Sequence, residues 1–123
     1  MTSRYIAVLA AGALLALSPL ANAADVEAGK TVFKKCAACH SDQANVNKVG
    51  PSLFGVVGRP TASVAGFKYS DALTNLKSTW TPELLDKWVT KPQDVAKGTK
   101  MVFPGLPNQA DRENVIAYLS TLK

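Results

Sequence analysis

Cys36, Cys39 and His40 stand in the run KCAACH, and their types and spacing are the feature of this chain most able to do chemistry. Two thiols three positions apart, followed at once by an imidazole, admit four readings. A plain disulfide is the first expectation for cysteines in an oxidising compartment, but here it would close a loop too small to remove much chain entropy. A thioredoxin-like redox pair wants a βαβ setting after a strand, whereas the flanks look helical and carry no parallel-sheet pattern. A structural zinc site needs four ligands, and the chain offers two cysteines, one histidine and no second cluster. The fourth reading is haem attachment through C-x-x-C-H. The thiols add across the haem vinyl groups as thioethers, and the adjacent His40 turns its imidazole to the iron.

The other axial ligand follows nearly by elimination. No second histidine exists, and Met1 falls in a segment that reads as a removable leader, so Met101 is the remaining thioether. It lies in GTKMVFPGL, an irregular stretch bearing glycine and proline. A methionine is more often soft core filler. Here the iron has one protein ligand and the loop holds one candidate for the other. Met/His ligation raises the haem potential relative to harder ligand sets, whereas an open sixth position would suit ligand binding or peroxidase chemistry.

These residues must be positioned by a small domain. Residues 1–23 read as a cleaved secretory signal: Arg4 supplies the positive end, IAVLAAGALLAL the apolar run, and Ala21-Asn22-Ala23 the cleavage site. The apolar run is short for a spanning helix, which needs roughly 20 residues; the alternative is an uncleaved anchor. Cleavage leaves residues 24–123 as one domain, exported to the periplasm, with no stable membrane insertion. The formal net charge is +5, one unit less without Arg4. No Lys/Arg run or basic stripe interleaved with aromatics appears, which argues against nucleic acid and for an acidic protein partner.

Asp25 reads as the N-cap of a helix whose face is Val26, Gly29 and Phe33, leading into Cys36. Gly29 inside it costs about 1 kcal/mol against alanine, as suits close approach of another backbone. Residues 41–69 hold too much Gly and Pro for regular elements and read as a long loop, which a cofactor surface would support. Ser70–Leu76 reads as a short helix. Thr81-Pro82-Glu83 opens another, with Leu84, Leu85, Trp88 and Val89 as its apolar stripe and Pro92 as its stop. Asn108 caps a last helix whose face is Val115, Tyr118, Leu119 and Leu122. The expectation is an all-α domain of three main helices, a short helix and long loops around one cofactor.

Together, GKTVFKKCAACH, KVGPSLFGVVGR, AGFKYSDA, Trp80, GTKMVFPGL and IAYL span nearly all of residues 24–123. On them the chain resembles the class I c-type cytochromes, both mitochondrial cytochrome c and its short bacterial relatives. The resemblance implies the small cytochrome c fold, with the first helix packed across the last so that Gly29 and Phe33 meet Tyr118. It implies one haem c, covalent through Cys36 and Cys39, with His40 and Met101 on the iron. Pro51 would offer its carbonyl to the far nitrogen of His40. Arg59, Tyr69 and Trp80 match positions that hydrogen-bond a haem propionate, Thr99 matches the hydroxyl beside it, and Phe103 would lie against the haem edge. Trp88 stands where mitochondrial forms usually carry a tyrosine that reaches the methionine sulfur, and Leu73 replaces an asparagine of the same network.

The family docks its partners through lysines around the haem edge. Lys30, Lys35, Lys48 and Lys100 fit that ring, with Lys91 and Lys97 nearby. Gln93 and Asp94 replace lysines, and Pro107-Asn108-Gln109 replaces a lysine cluster, so weaker steering is expected. The function implied is a monomeric periplasmic one-electron carrier, not an enzyme. Its partners would be a quinol–cytochrome c oxidoreductase, a terminal oxidase or reductase, or a periplasmic dehydrogenase. The rivals are a dedicated cytochrome subunit of such a dehydrogenase, a haem peroxidase or sensor with an open sixth site, and a haem-free thiol protein.

Overall fold

The computed structural model describes Gly12 and residues 24–123. The leader reading of residues 1–23 therefore lies outside the described residues, apart from Gly12. Among the described residues five helices follow one another: α1 Val26–Phe33, α2 Asp71–Thr74, α3 Pro82–Thr90, α4 Pro92–Val95 and α5 Gln109–Ser120. Among the described residues there is no β-strand, only one isolated antiparallel bridge between Pro60 and Thr79. No described helix is long and apolar enough to cross a membrane.

Local chemistry sets the helix starts. Asp25, Ser70, Thr81 and Asn108 each accept a backbone N–H in the first turn of the helix they precede, satisfying one of the donors that a helix start leaves unpaired. Pro82 sits just inside α3, where its missing N–H costs nothing. Two expectations are corrected here. Pro92 does end α3, but it also opens a separate turn, α4, which the sequence pattern did not separate from the loop. The short helix covers only Asp71–Thr74, and Leu76 closes a turn on the Leu73 carbonyl at 3.2 Å instead of continuing it.

The architecture rests on α1 crossing α5. A Cβ built at Gly29 would overlap the Asn114 carbonyl and lie 2.9 Å from Tyr118 Cβ, so the backbones touch where the glycine stands. Phe33 packs on Tyr118 with ring centroids 5.5 Å apart. Asn114 Oδ1 accepts the Asp25 N–H at 2.8 Å, tying the start of α1 to the same crossing. Gly29 and Phe33 are buried, but Val26 is 37% exposed and does not join them.

Arg112 joins α5 to α3: its Nε donates to Asp86 Oδ1 at 2.9 Å, and its Nη1 to the Leu106 and Pro107 carbonyls. Behind these helices lies one core that includes Val56, Trp80, Leu85, Trp88, Val115 and Leu119. The loop of residues 41–69 closes the remaining side, held by contacts such as Gly55 N to Leu122 O at 2.7 Å and Gly58 N to Trp80 O at 2.8 Å.

Candidate haem-binding site

After α1 the chain keeps winding. Cys36 N donates to Phe33 O at 2.8 Å, and Cys39 N and His40 N both donate to Cys36 O, at 3.1 and 2.9 Å. This tight coil gathers the two thiols and the imidazole within one short segment. Gly50 N donates to Cys39 O at 2.7 Å and draws the next loop against it. A methyl group at Gly50 would lie 2.7 Å from His40 Nδ1 and 2.8 Å from Nε2, so only glycine lets the backbone lie against the ring.

His40 Nδ1 is 2.7 Å from the Pro51 carbonyl oxygen. A carbonyl can only accept, so Nδ1 carries the proton and Nε2 keeps its lone pair. Burial pushes the imidazole pKa below its ordinary value; the Pro51 hydrogen bond opposes this and the Arg59 charge adds to it. The ring is therefore neutral, the form that ligates metals. Cys36 is half-buried, Cys39 is exposed, and both are free thiols. Burial first, then Cys39, pushes the Cys36 thiol up, and Lys35 opposes. Among the described residues, no group of three or more His, Cys, Asp or Glu side chains is arranged to hold a metal ion.

Arg59 Nη1 donates to the Ser52 and Phe54 carbonyls at 3.0 and 3.2 Å, but its buried Nε has no partner. Burial lowers the guanidinium pKa, and the nearby Tyr69 raises it. Tyr69 accepts the Val64 N–H at 3.1 Å, which leaves its own phenolic proton to give. Trp80 and Trp88 are both buried and meet edge to face, 5.2 Å between centroids. Thr99 is buried, and its hydroxyl lies 3.5 Å from the Met101 N–H, at the limit of a hydrogen bond. Met101, Phe103 and Leu73 are half-buried against the core. Lys30, Lys35, Lys48 and Lys100 are exposed, but Lys48 Nζ donates to the Ala37 carbonyl at 2.9 Å and so is partly held by the loop.

The residues present fit a covalent haem. Two free thiols directly precede a neutral histidine whose second nitrogen is unprotonated. A buried guanidinium N–H without a partner and a phenol with a proton to give suit the carboxylates of that group, since a carboxylate leaving water needs charged or strong donors.

Sequence reasoning missed two supports. Ser52 is buried, donates to Gln43 O at 2.6 Å and accepts from Phe54 N at 3.2 Å, while Asn47 Oδ1 takes the Ser52 N–H at 2.9 Å. Tyr118 donates to Asp42 Oδ2 at 2.6 Å across 76 positions and latches α5 to the segment just after His40. No local pattern marks either one. The Asp42 bond, then burial, pushes the Tyr118 pKa up to about 12. A raised acid pKa means the latch stabilises the fold fully below the unfolded value of 10, and that contribution is lost as pH rises toward about 12. Urea midpoints of the protein and of Tyr118→Phe should differ most below pH 10 and converge above it; a gap independent of pH would show that the latch contributes nothing.

The cytochrome c family model matches residues 26–123. The chain belongs to the cytochrome c family. Membership implies haem c and one-electron transfer in place of enzymatic turnover. Cytochrome c2 of Rhodoblastus acidophilus is 51% identical over 102 residues, covering 82% of this chain and 95% of its own. Cytochrome c-type cyt cy of Rhodobacter capsulatus is 50% identical over 111 residues, 89% of this chain, but the chain spans only 55% of that relative's length. Among solved structures, cytochrome cH from Methylobacterium extorquens superposes with a TM-score of 0.74 at 41% identity, over 79% of this chain and 98% of its own.

Proposed function

We propose that this member of the cytochrome c family is a periplasmic one-electron carrier. Cys36 and Cys39 would hold haem c as thioethers, with His40 and Met101 on the iron. The observation that carries the proposal is the state of His40. Its ring is buried against Gly50, its Nδ1–H is spent on Pro51 at 2.7 Å, and its bare Nε2 follows directly on the two free thiols. When bound, haem c supplies an iron that alternates between ferrous and ferric states.

The chain's own residues do the rest. The Pro51 bond fixes the imidazole's tautomer and orientation, so the ligand need not move when the charge changes. Arg59, Tyr69, Trp80 and Thr99 would hold the propionates, and Trp88, Leu85 and Val56 keep water out. A dry pocket, fixed donors and the axial pair are the protein's means of setting the potential. Phe103 would cover the exposed edge. Lys30, Lys35, Lys48 and Lys100 would steer an acidic face of a quinol–cytochrome c oxidoreductase, an oxidase or reductase, or a dehydrogenase into brief contact, as suits a carrier that must leave after delivery.

Mass and optical analysis of the exported protein tests this. The expected product is coloured, begins at Ala24, carries one haem and elutes alone as a monomer. Cys36→Ser/Cys39→Ser should carry no covalently bound haem. Two titratable thiols in the exported protein, or a stoichiometric partner after gentle purification, would overturn the carrier reading.

A further inference from the structure

The sequence sets Gln93 where mitochondrial relatives carry lysine, and steering gains nothing from the change. The structure gives this side chain a different task. Gly98 N donates to Gln93 Oε1 at 3.0 Å, and Gln93 Nε2 donates to the Thr99 carbonyl at 3.1 Å. One carboxamide thus bridges two consecutive residues of the loop that leads into Met101.

That loop has few other ties. Thr99 N reaches Ala96 O at 2.9 Å, and the next backbone-to-backbone bond among the described residues is Leu106 N to Val89 O at 2.7 Å. Gly98 takes φ +91°, so the chain turns sharply at the point the carboxamide grips. Between Thr99 and Leu106 the Met101 N–H has only the marginal 3.5 Å contact, and Val102 is fully exposed. The placement of Met101 therefore depends on how firmly Gly98 and Thr99 are held.

We propose that Gln93 is a positioning residue for Met101: its carboxamide clamps the Gly98–Thr99 turn and keeps the thioether from swinging away from its seat. This rests on the reading of Met101 as the axial ligand. The chemistry is particular to glutamine, which accepts and donates at once. Lysine donates only and cannot take the Gly98 N–H; glutamate accepts only and faces the Thr99 carbonyl with a like partial charge.

An external ligand that must displace Met101 binds with an affinity scaled by the fraction of open loop. Imidazole titrated into the ferric holoprotein therefore reads the clamp. Losing two hydrogen bonds should favour the open loop by about tenfold, so Gln93→Leu should bind imidazole about tenfold tighter. Gln93→Lys and Gln93→Glu, each able to make one bond, should fall between Gln93→Leu and the parent. In Gln93→Leu the near-infrared sulfur-to-iron band should vanish at lower urea than the far-ultraviolet signal, because the clamped Gly98–Thr99 turn lies outside the helices that signal reports. Equal imidazole affinity in all four proteins, or band loss that merely tracks global unfolding, would overturn the clamp. A parent protein without the band would instead sink the Met101 assignment, and the clamp with it.

Discussion

Met101→Leu should abolish the near-infrared sulfur-to-iron band of the ferric protein and lower its reduction potential by on the order of 0.1 V or more, within the roughly 0.8 V range that axial ligands command. Met101 is the only thioether in residues 24–123, and in the proposed ligation the single histidine would already be on the iron, so no other neutral soft ligand stands ready. Leucine nearly matches methionine in volume, and such swaps usually cost less than about 1.5 kcal/mol. Met101 is half-buried against the core, so the helices should persist by circular dichroism while the spectrum and the potential change. A band that survives the substitution would remove Met101 from the iron.

Gly29→Ala should destabilise the fold by about 3 kcal/mol, the upper end of the usual cost of overpacking. In an isolated helix the same change would help by about 1 kcal/mol, so the two considerations differ in sign. Geometry decides between them. The new methyl would collide with the Asn114 main-chain carbonyl, which cannot rotate aside as a side-chain tip could, and would press within 2.9 Å of Tyr118 Cβ. Relief requires α1 and α5 to part, which would also strain the Phe33–Tyr118 contact and the Asp25–Asn114 bond. Urea unfolding of the two proteins measures it. A raised midpoint would mean that α1 and α5 do not touch at this residue.

Much of the frame was legible because its signals are local. A side-chain oxygen at Asp25, Thr81 or Asn108 can cap only the helix it precedes, and the structure has all three caps in place. The apolar stripe of α5 needs only the helical period, and Val115, Tyr118 and Leu119 are buried as that period requires. Val26 misled for the same reason: periodicity assigns a face but does not tell where the covering element ends. α4 was missed because four residues offer no period to read.

Of the candidate site, the sequence by itself determined the chemical inventory: two thiols and an imidazole in C-x-x-C-H, one thioether within residues 24–123, and family motifs along nearly all of those residues. Covalent chemistry depends on residue type and short spacing, and both are written in the primary structure. The resemblance implied that Pro51 would meet His40, but only the tertiary structure measured that contact, 2.7 Å from Nδ1 across eleven positions, and so showed which nitrogen is left bare. The unpartnered Nε of Arg59, the Tyr118–Asp42 latch and the Gln93 clamp belong to the same class. Hydrogen bonds demand distances near 3 Å and aligned donors, and no spacing along a chain specifies which distant groups will meet those terms.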